Sequence, residues 1–184
     1  MIDQFMEQVA TKRNTGVQTL IVIFAWLTLI ISGVYGMLIF TGITYAFQES
    51  MMTGIIQLVT CLVFIGIAVL IYFYKDRLRT EYEYTFTNGA LDFAAVYNNR
   101  KRKALGTMNL KNIKACGKVA SGSFNRYINM PGVKRSNWFA NREADLFYIY
   151  FEKDSAKRII IMEPNEEMER LIRGAVPQGA YQIN

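Results

Sequence analysis

Two long apolar runs near the start of the chain dominate its pattern of hydrophobic and polar positions. They cover residues 17–40 and 51–74, and no charged residue interrupts either run. A helix rises about 1.5 Å per residue, and the hydrocarbon core of a bilayer is about 30 Å thick. Each run is therefore long enough to span a membrane, and together they predict a two-helix transmembrane hairpin over residues 17–74.

Small residues form a stripe along each predicted span. The members are Ala25, Thr28, Ser32 and Gly36 in the first span and Gly54, Cys61 and Ala68 in the second. In lipid, helices associate through the close packing of small residues. The two stripes are therefore expected to face each other within one hairpin, and a homodimer contact or a contact with another membrane protein is the alternative.

Residues 1–16 predict a short amphipathic helix that lies at the membrane interface. Four apolar side chains recur at helical spacing there: Ile2, Phe5, Met6 and Val9. Such a segment is expected to lie in the headgroup region as an anchor ahead of the first span.

Basic residues flank the hairpin on one side only. Lys12 and Arg13 precede the first run and three more cations lie within residues 75–79, whereas the connection between the runs carries only Glu49. Because Lys and Arg favour the cytoplasmic side of a membrane, we expect a multi-pass protein of the cell membrane with both termini in the cytoplasm.

Beyond residue 80 the period of the pattern changes from helical to two, which is typical of strands. Aromatic and polar residues alternate over residues 81–87, and Asn88-Gly89 predicts a type I′ turn before a return strand. A second hairpin is predicted over residues 146–162. An amphipathic helix capped by Asn165 is expected to follow it.

Residues 120–144 interrupt this regularity with many Asn, Gly and Ser residues, so the segment is expected to be a loop. It also holds five large apolar side chains: Phe124, Tyr127, Ile128, Trp138 and Phe139. They predict either that the loop tucks against the sheet, which we favour, or that it forms a contact surface.

Two groups of antiparallel strands followed by one C-terminal helix resemble the element order of pleckstrin-homology-like (PH-like) domains. The segments 84–91 and 108–113 look like the opening strands and the later leucine-x-x-isoleucine step of bacterial PH-like domains, which commonly follow two transmembrane helices. The resemblance implies a small bacterial membrane protein with a membrane α-helical hairpin and a cytoplasmic domain of α+β, mostly-β class. Its cytoplasmic domain would cover residues 80–177, with PH-like antiparallel strands closed by the C-terminal helix.

The composition of the chain limits the catalytic and metal-binding chemistry expected of it. The 184 residues include 21 basic and 15 acidic side chains and no histidine, and from Lys75 onward 19 basic residues stand against 12 acidic ones. Without histidine, the commonest general base and metal ligand is missing. Cys61 and Cys116 lie in different segments, so no disulfide is expected. We expect neither catalysis nor a metal or other cofactor.

The strongest local charge is a run of four cations in a predicted hairpin turn: Arg100, Lys101, Arg102 and Lys103. Each exposed cation near an anionic leaflet contributes about 1 kcal/mol to membrane binding. The run is therefore either an anionic-lipid site of the inner leaflet or a solvated turn. Nucleic acid is not expected as a partner, because a membrane anchor places this charge beside lipid.

These observations predict a non-catalytic integral membrane protein that presents a PH-like interaction or scaffold domain at the cytoplasmic membrane surface. One alternative is a sensor of anionic lipid that acts through residues 100–103. The other is an accessory subunit of a membrane protein complex, bound through the small-residue stripe.

Overall fold

The computed structural model describes residues 4–13 and 15–183, which form two compact units. One unit is residues 15–79, and the other joins residues 4–13 to residues 80–183. The helical unit is therefore an insertion within the chain of a single β domain.

The helical unit is an antiparallel pair, α1 (Thr15–Glu49) and α2 (Met51–Tyr74), followed by a 3₁₀ turn at Lys75–Leu78. Both helices are long and apolar enough to cross a membrane. The first continues to Glu49 instead of ending at residue 40, since no proline and no charge interrupts residues 41–48. Ser50 alone separates the helices and caps α2, its hydroxyl accepting a hydrogen bond from the Met52 N–H at 3.3 Å.

In its described residues the β domain contains two sheets, two α-helices and a 3₁₀ turn at Leu110–Asn112. The first sheet has the strand order β1-β2-β3-β4 and the second β6-β8-β7-β5-β9. The elements are β1 (Phe5–Ala10), β2 (Thr80–Thr87), β3 (Ala90–Tyr97), β4 (Lys101–Asn109), β5 (Ala115–Lys118), α3 (Gly122–Ile128), β6 (Lys134–Trp138), β7 (Phe147–Lys153), β8 (Ala156–Met162), α4 (Glu166–Ala175) and β9 (Tyr181–Gln182).

The alternating residues of the two sheets enclose one apolar core. Its members include Tyr84, Phe86, Leu91 and Phe93 from the first sheet and Phe147, Ile149, Ile160 and Met162 from the second. The helix α4 adds Met168 and Ile172, both fully buried, and Asn165 caps this helix as predicted. β9 lies beyond residue 177, so the domain continues past its predicted end.

Residues 5–10 form a strand and not the predicted amphipathic helix. β1 pairs antiparallel with β2, from Phe5 opposite Thr87 to Ala10 opposite Tyr82. Met6 and Ala10 turn into the core, whereas Phe5 and Val9 lie exposed on the opposite face, so pairing with β2 and not an apolar period makes this segment a strand. The part of the prediction that falls on residues 1–3 and 14 lies outside the described residues.

The segment 120–144 contains a helix and a strand in place of the predicted loop. Its large side chains nevertheless tuck against the sheet as predicted. Four of them, Phe124, Tyr127, Ile128 and Phe139, pack on the outer face of the second sheet, while Trp138 packs on Phe93 with ring centroids 4.8 Å apart. The polar strand β6 has no alternating pattern to reveal it, and it is fixed by parallel pairing with β8.

Candidate functional site

The four predicted lipid-binding cations do not share one turn. Residues 98–100 form the turn between β3 and β4, whereas the other three cations are the first residues of β4. Because side chains alternate along a strand, Lys101 and Lys103 lie on one face of the sheet and Arg102 lies on the other. The predicted hairpin turn is therefore too long, and the positive charge is divided between two faces.

The surroundings of Arg102 differ from those of its neighbours. Its guanidinium forms an ion pair of 2.5 Å with Glu83 on β2, although the Arg102 side chain remains 61% exposed. Among the described residues, Arg100, Lys101 and Lys103 have no carboxylate within ion-pair distance. Three of the four cations are therefore free to meet a negatively charged partner.

β4 is also an edge strand. In the part of the chain that the structure describes, it pairs with β3 and with no second strand. Apart from Leu105 and Met108, its residues are exposed. We call residues 100–107 the basic edge.

A shallow depression of about 500 Å³ adjoins the basic edge on the Arg102 face. It exists because three small residues lie side by side there: Ala94, Ala104 and Gly106. Asp92 and Thr107, which are joined by a hydrogen bond between the carboxylate and the hydroxyl, border it. The depression thus has an apolar floor, formed by the small residues, and a polar rim, formed by Asp92 and Thr107.

A second polar constellation, centred on the buried carboxylate of Glu163, was not anticipated from the sequence. This carboxylate, at the end of β8, accepts hydrogen bonds from the Ala140 N–H (3.2 Å), the Asn141 N–H (2.9 Å) and the Asn141 side-chain amide (2.9 Å). A buried carboxylate is tolerated when donors satisfy it in this way. We call these residues and Gln8 the polar clamp.

The polar clamp attaches the N-terminal strand to the rest of the domain. The Gln8 side chain donates to the Glu163 carbonyl at 2.8 Å and accepts from the Asn165 N–H at 2.9 Å. The Asn141 side chain donates to the Thr11 carbonyl at 2.8 Å and accepts from the Arg13 N–H at the same distance. The partners lie more than a hundred residues apart in sequence, so no local signal reveals the clamp.

Tyr84 joins the polar clamp to the core. Its hydroxyl donates to the Trp138 carbonyl and accepts from the Glu163 N–H at 3.2 Å. Burial raises the pKa of Tyr84, so the phenol stays protonated and able to donate. These contacts describe a structural role for Tyr84.

Of the predicted helix-packing residues, Thr28 is exposed, and the others are buried or partly buried in the pair of α1 and α2. Ser32, Gly36, Gly54 and Cys61 are buried, and Ala25 and Ala68 are partly buried. The Cys61 thiol donates to the Gly36 carbonyl at 3.4 Å. A side chain at Gly54 would meet the ring of Phe47, and one at Gly36 would meet Ile65 at 3.3 Å.

Reactive groups in the domain are shielded. Cys116 is fully buried, and burial, reinforced by Glu169, raises the pKa of its thiol to about 12. Both cysteines are free thiols. Within the described residues, no three His, Cys, Asp or Glu side chains are grouped so that they would hold a metal ion.

The protein has two sheets around one core, and two long apolar helices precede every strand except β1. This arrangement places it in the class of PH-like proteins with candidate membrane spans. The chain belongs to the family of bacterial PH-like domains (DUF6106), whose profile matches residues 2–182. The resemblance found in the sequence is thereby confirmed. Comparison with curated proteins and with solved structures finds no significant match. The family match includes β1 and both helices as well as the later strands.

Proposed function

We propose that this protein is a non-catalytic integral membrane protein whose PH-like domain serves as an interaction or scaffold module at the cytoplasmic membrane surface. The main support is the insertion of the helical pair between β1 and β2, which are adjacent strands of one sheet. The domain is thus tied to the hairpin twice. Fully extended, residues 11–14 reach only about 14 Å, so a domain on a membrane hairpin stays beside the bilayer.

In this proposal α4 closes the PH-like domain. The support is the burial of Met168 and Ile172 in the core that both sheets share. The non-catalytic role is supported by the buried state of the Cys116 thiol and by the absence of histidine from the chain.

The proposed topology places both termini in the cytoplasm. Cations flank the helical pair at the ends away from its turn, whereas the only charged residue near the turn is Glu49. Single cysteines at two exposed positions test it. Gln48→Cys, at the turn, should react with a membrane-impermeant maleimide in intact cells. Lys111→Cys, in the domain, should react only after the membrane is permeabilised. The opposite pattern would reverse the orientation.

The interaction role is tested by photo-crosslinking in native membranes. Photoreactive residues at exposed domain positions, such as Lys111 and Asn125, should repeatedly capture the same protein partner. A photoreactive residue at Gln48 is the matched control and should not capture it. Adducts with lipid alone, or no adduct from any domain position, would contradict the proposal.

The run Arg100–Lys103 favours one second candidate, a sensor of anionic lipid. Its test is whether the membrane-reconstituted protein clusters anionic lipid around the domain, and whether changing the four cations to glutamate abolishes this. The remaining candidate is an accessory subunit of a membrane protein complex. It would have to bind its partner through a helix face other than the one formed by Ser32, Gly36, Gly54 and Cys61. Those residues are already buried between α1 and α2.

A further inference from the structure

We propose that the basic edge binds an extended acidic segment of another protein, which adds to the first sheet as a further strand beside β4. The inference rests on the proposed function as an interaction domain and specifies the chemistry of the partner. It follows from three features of β4: its outer edge, which pairs with no strand of the described residues, its charge and the adjoining depression.

The backbone of β4 is suited to strand addition. An edge strand presents a row of N–H and C=O groups that a partner strand can pair with. β4 has nine residues, whereas the other edge strands β1, β6 and β9 have six, five and two. Within the described residues, β4 therefore offers the longest edge of either sheet.

The charge of β4 selects the partner. Side chains directly opposite each other on paired strands have Cβ atoms about 4.5–5.5 Å apart. Lys101 and Lys103 lie on one face and have no carboxylate within ion-pair distance among the described residues, whereas Arg102 on the other face already pairs with Glu83. Acidic residues at alternate positions of an added strand would therefore each lie near a free lysine. A second copy of β4 is disfavoured, because it would bring like charges together.

The depression defines the rest of the partner. The register between β3 and β4 shifts between Phe93 and Ala94, which sets the cationic part of the edge apart from Gly106 and Thr107. The depression extends across this bulge: Ala94 and Ala104 lie on its cationic side together with Arg102, whereas Gly106, Thr107 and the Asp92 carboxylate lie on the other side. The partner's residues on that side should therefore be uncharged, so that an acidic run is followed or preceded by apolar or hydroxyl residues.

The test uses the full chain in nanodiscs of zwitterionic lipid and a fluorescent peptide of four acidic residues joined to alternating valine and threonine. A peptide of identical sequence with alternate backbone nitrogens methylated keeps the charge but loses backbone donors. We expect it to bind at least about ten-fold more weakly. Hydrogen exchange of the β4 amides should slow when the unmodified peptide binds.

Charge variants complete the test. Lys101→Glu with Lys103→Glu should weaken peptide binding at least about ten-fold. Lys111→Glu with Lys114→Glu, which makes the same charge change at exposed positions outside β4, should leave the affinity within about two-fold. As a control for folding, amides outside β4 should exchange at the same rate in each variant as in the unchanged protein.

Three outcomes would overturn the inference. The first is that the methylated peptide binds as tightly as the unmodified one. The second is that peptide binding slows amide exchange outside β4 and not in β4. The third is that the two charge variants weaken peptide binding equally. Failure to bind peptide, together with binding of added anionic vesicles that depends on Lys101 and Lys103, would assign the edge to lipid instead. A protein partner still crosslinked from other domain positions would then preserve the proposed function, so the two failures are distinguishable.

Discussion

The assignment of residues 5–10 to the β domain predicts that this domain cannot be isolated by starting the chain near residue 80. The perturbation compares two soluble chains. One joins residues 4–13 to residues 80–183 through a short glycine-rich turn that replaces the helical pair, and the other consists of residues 80–183 alone. Because β1 and β2 are adjacent and antiparallel, a short turn is able to connect them.

The expected loss of stability follows from the contacts of β1. Partial burial of Met6 contributes about 1–2 kcal/mol. The two hydrogen bonds of the Gln8 side chain contribute about 1 kcal/mol each, and the bonds between Asn141 and residues 11–13, being exposed, contribute less. The total is about 3–5 kcal/mol, a large part of the 5–15 kcal/mol by which a domain is typically stable.

The assay is urea unfolding followed by tryptophan fluorescence, since Trp138 is partly buried and packs against the core residue Phe93. The joined chain should unfold cooperatively, and residues 80–183 alone should be unfolded or lower in free energy of unfolding by about 3–5 kcal/mol. Gln8→Ala in the joined chain should cost about 1–2 kcal/mol. Equal stability of the two chains would refute the structural role of β1.

Three further results are expected. Glu163→Gln should lower the free energy of unfolding by about 2–3 kcal/mol, because the Gln carbonyl oxygen can accept from the two backbone N–H groups only if its NH2 group faces the Asn141 side-chain amide, which is also a donor; urea unfolding measures it. Cys116, with its thiol pKa raised by burial to about 12, should resist maleimide at neutral pH in the native domain and react in urea, and rapid native labelling would contradict its burial. Gly36→Leu should lower the thermal stability of the protein in detergent, whereas Gly33→Leu, with open space around it, should not.

The sequence was informative where the signal is local. The apolar runs reveal both helices, and the Asn88-Gly89 turn between alternating segments reveals β2 and β3. β1 is different, because its partner strand follows only after the inserted helices. The spacing of Phe5, Met6 and Val9 favours a helix, but pairing with β2 overrides it and leaves Phe5 and Val9 on the exposed face of the strand.

The candidate site shows the same division between local and distant information. The run of four cations is visible in the sequence, but its position on an edge strand depends on the order of strands in the sheet. Glu163 looks like part of a helix start, and only the fold brings Asn141 and Gln8 to it. The small residues of the helices are local signals, whereas the face that they occupy is fixed by packing between α1 and α2.

The double connection between hairpin and domain also restricts the proposed partner of the basic edge. A domain on one long linker is able to search a wide volume, but a domain joined through two adjacent strands is not. Residues 4–13 are held further by the polar clamp, through Gln8 and Asn141. On a membrane hairpin, the β domain would therefore remain tethered near the bilayer. The acidic strand that the basic edge is proposed to bind should accordingly belong to a juxtamembrane segment of another membrane protein, or to a soluble protein already recruited to that surface.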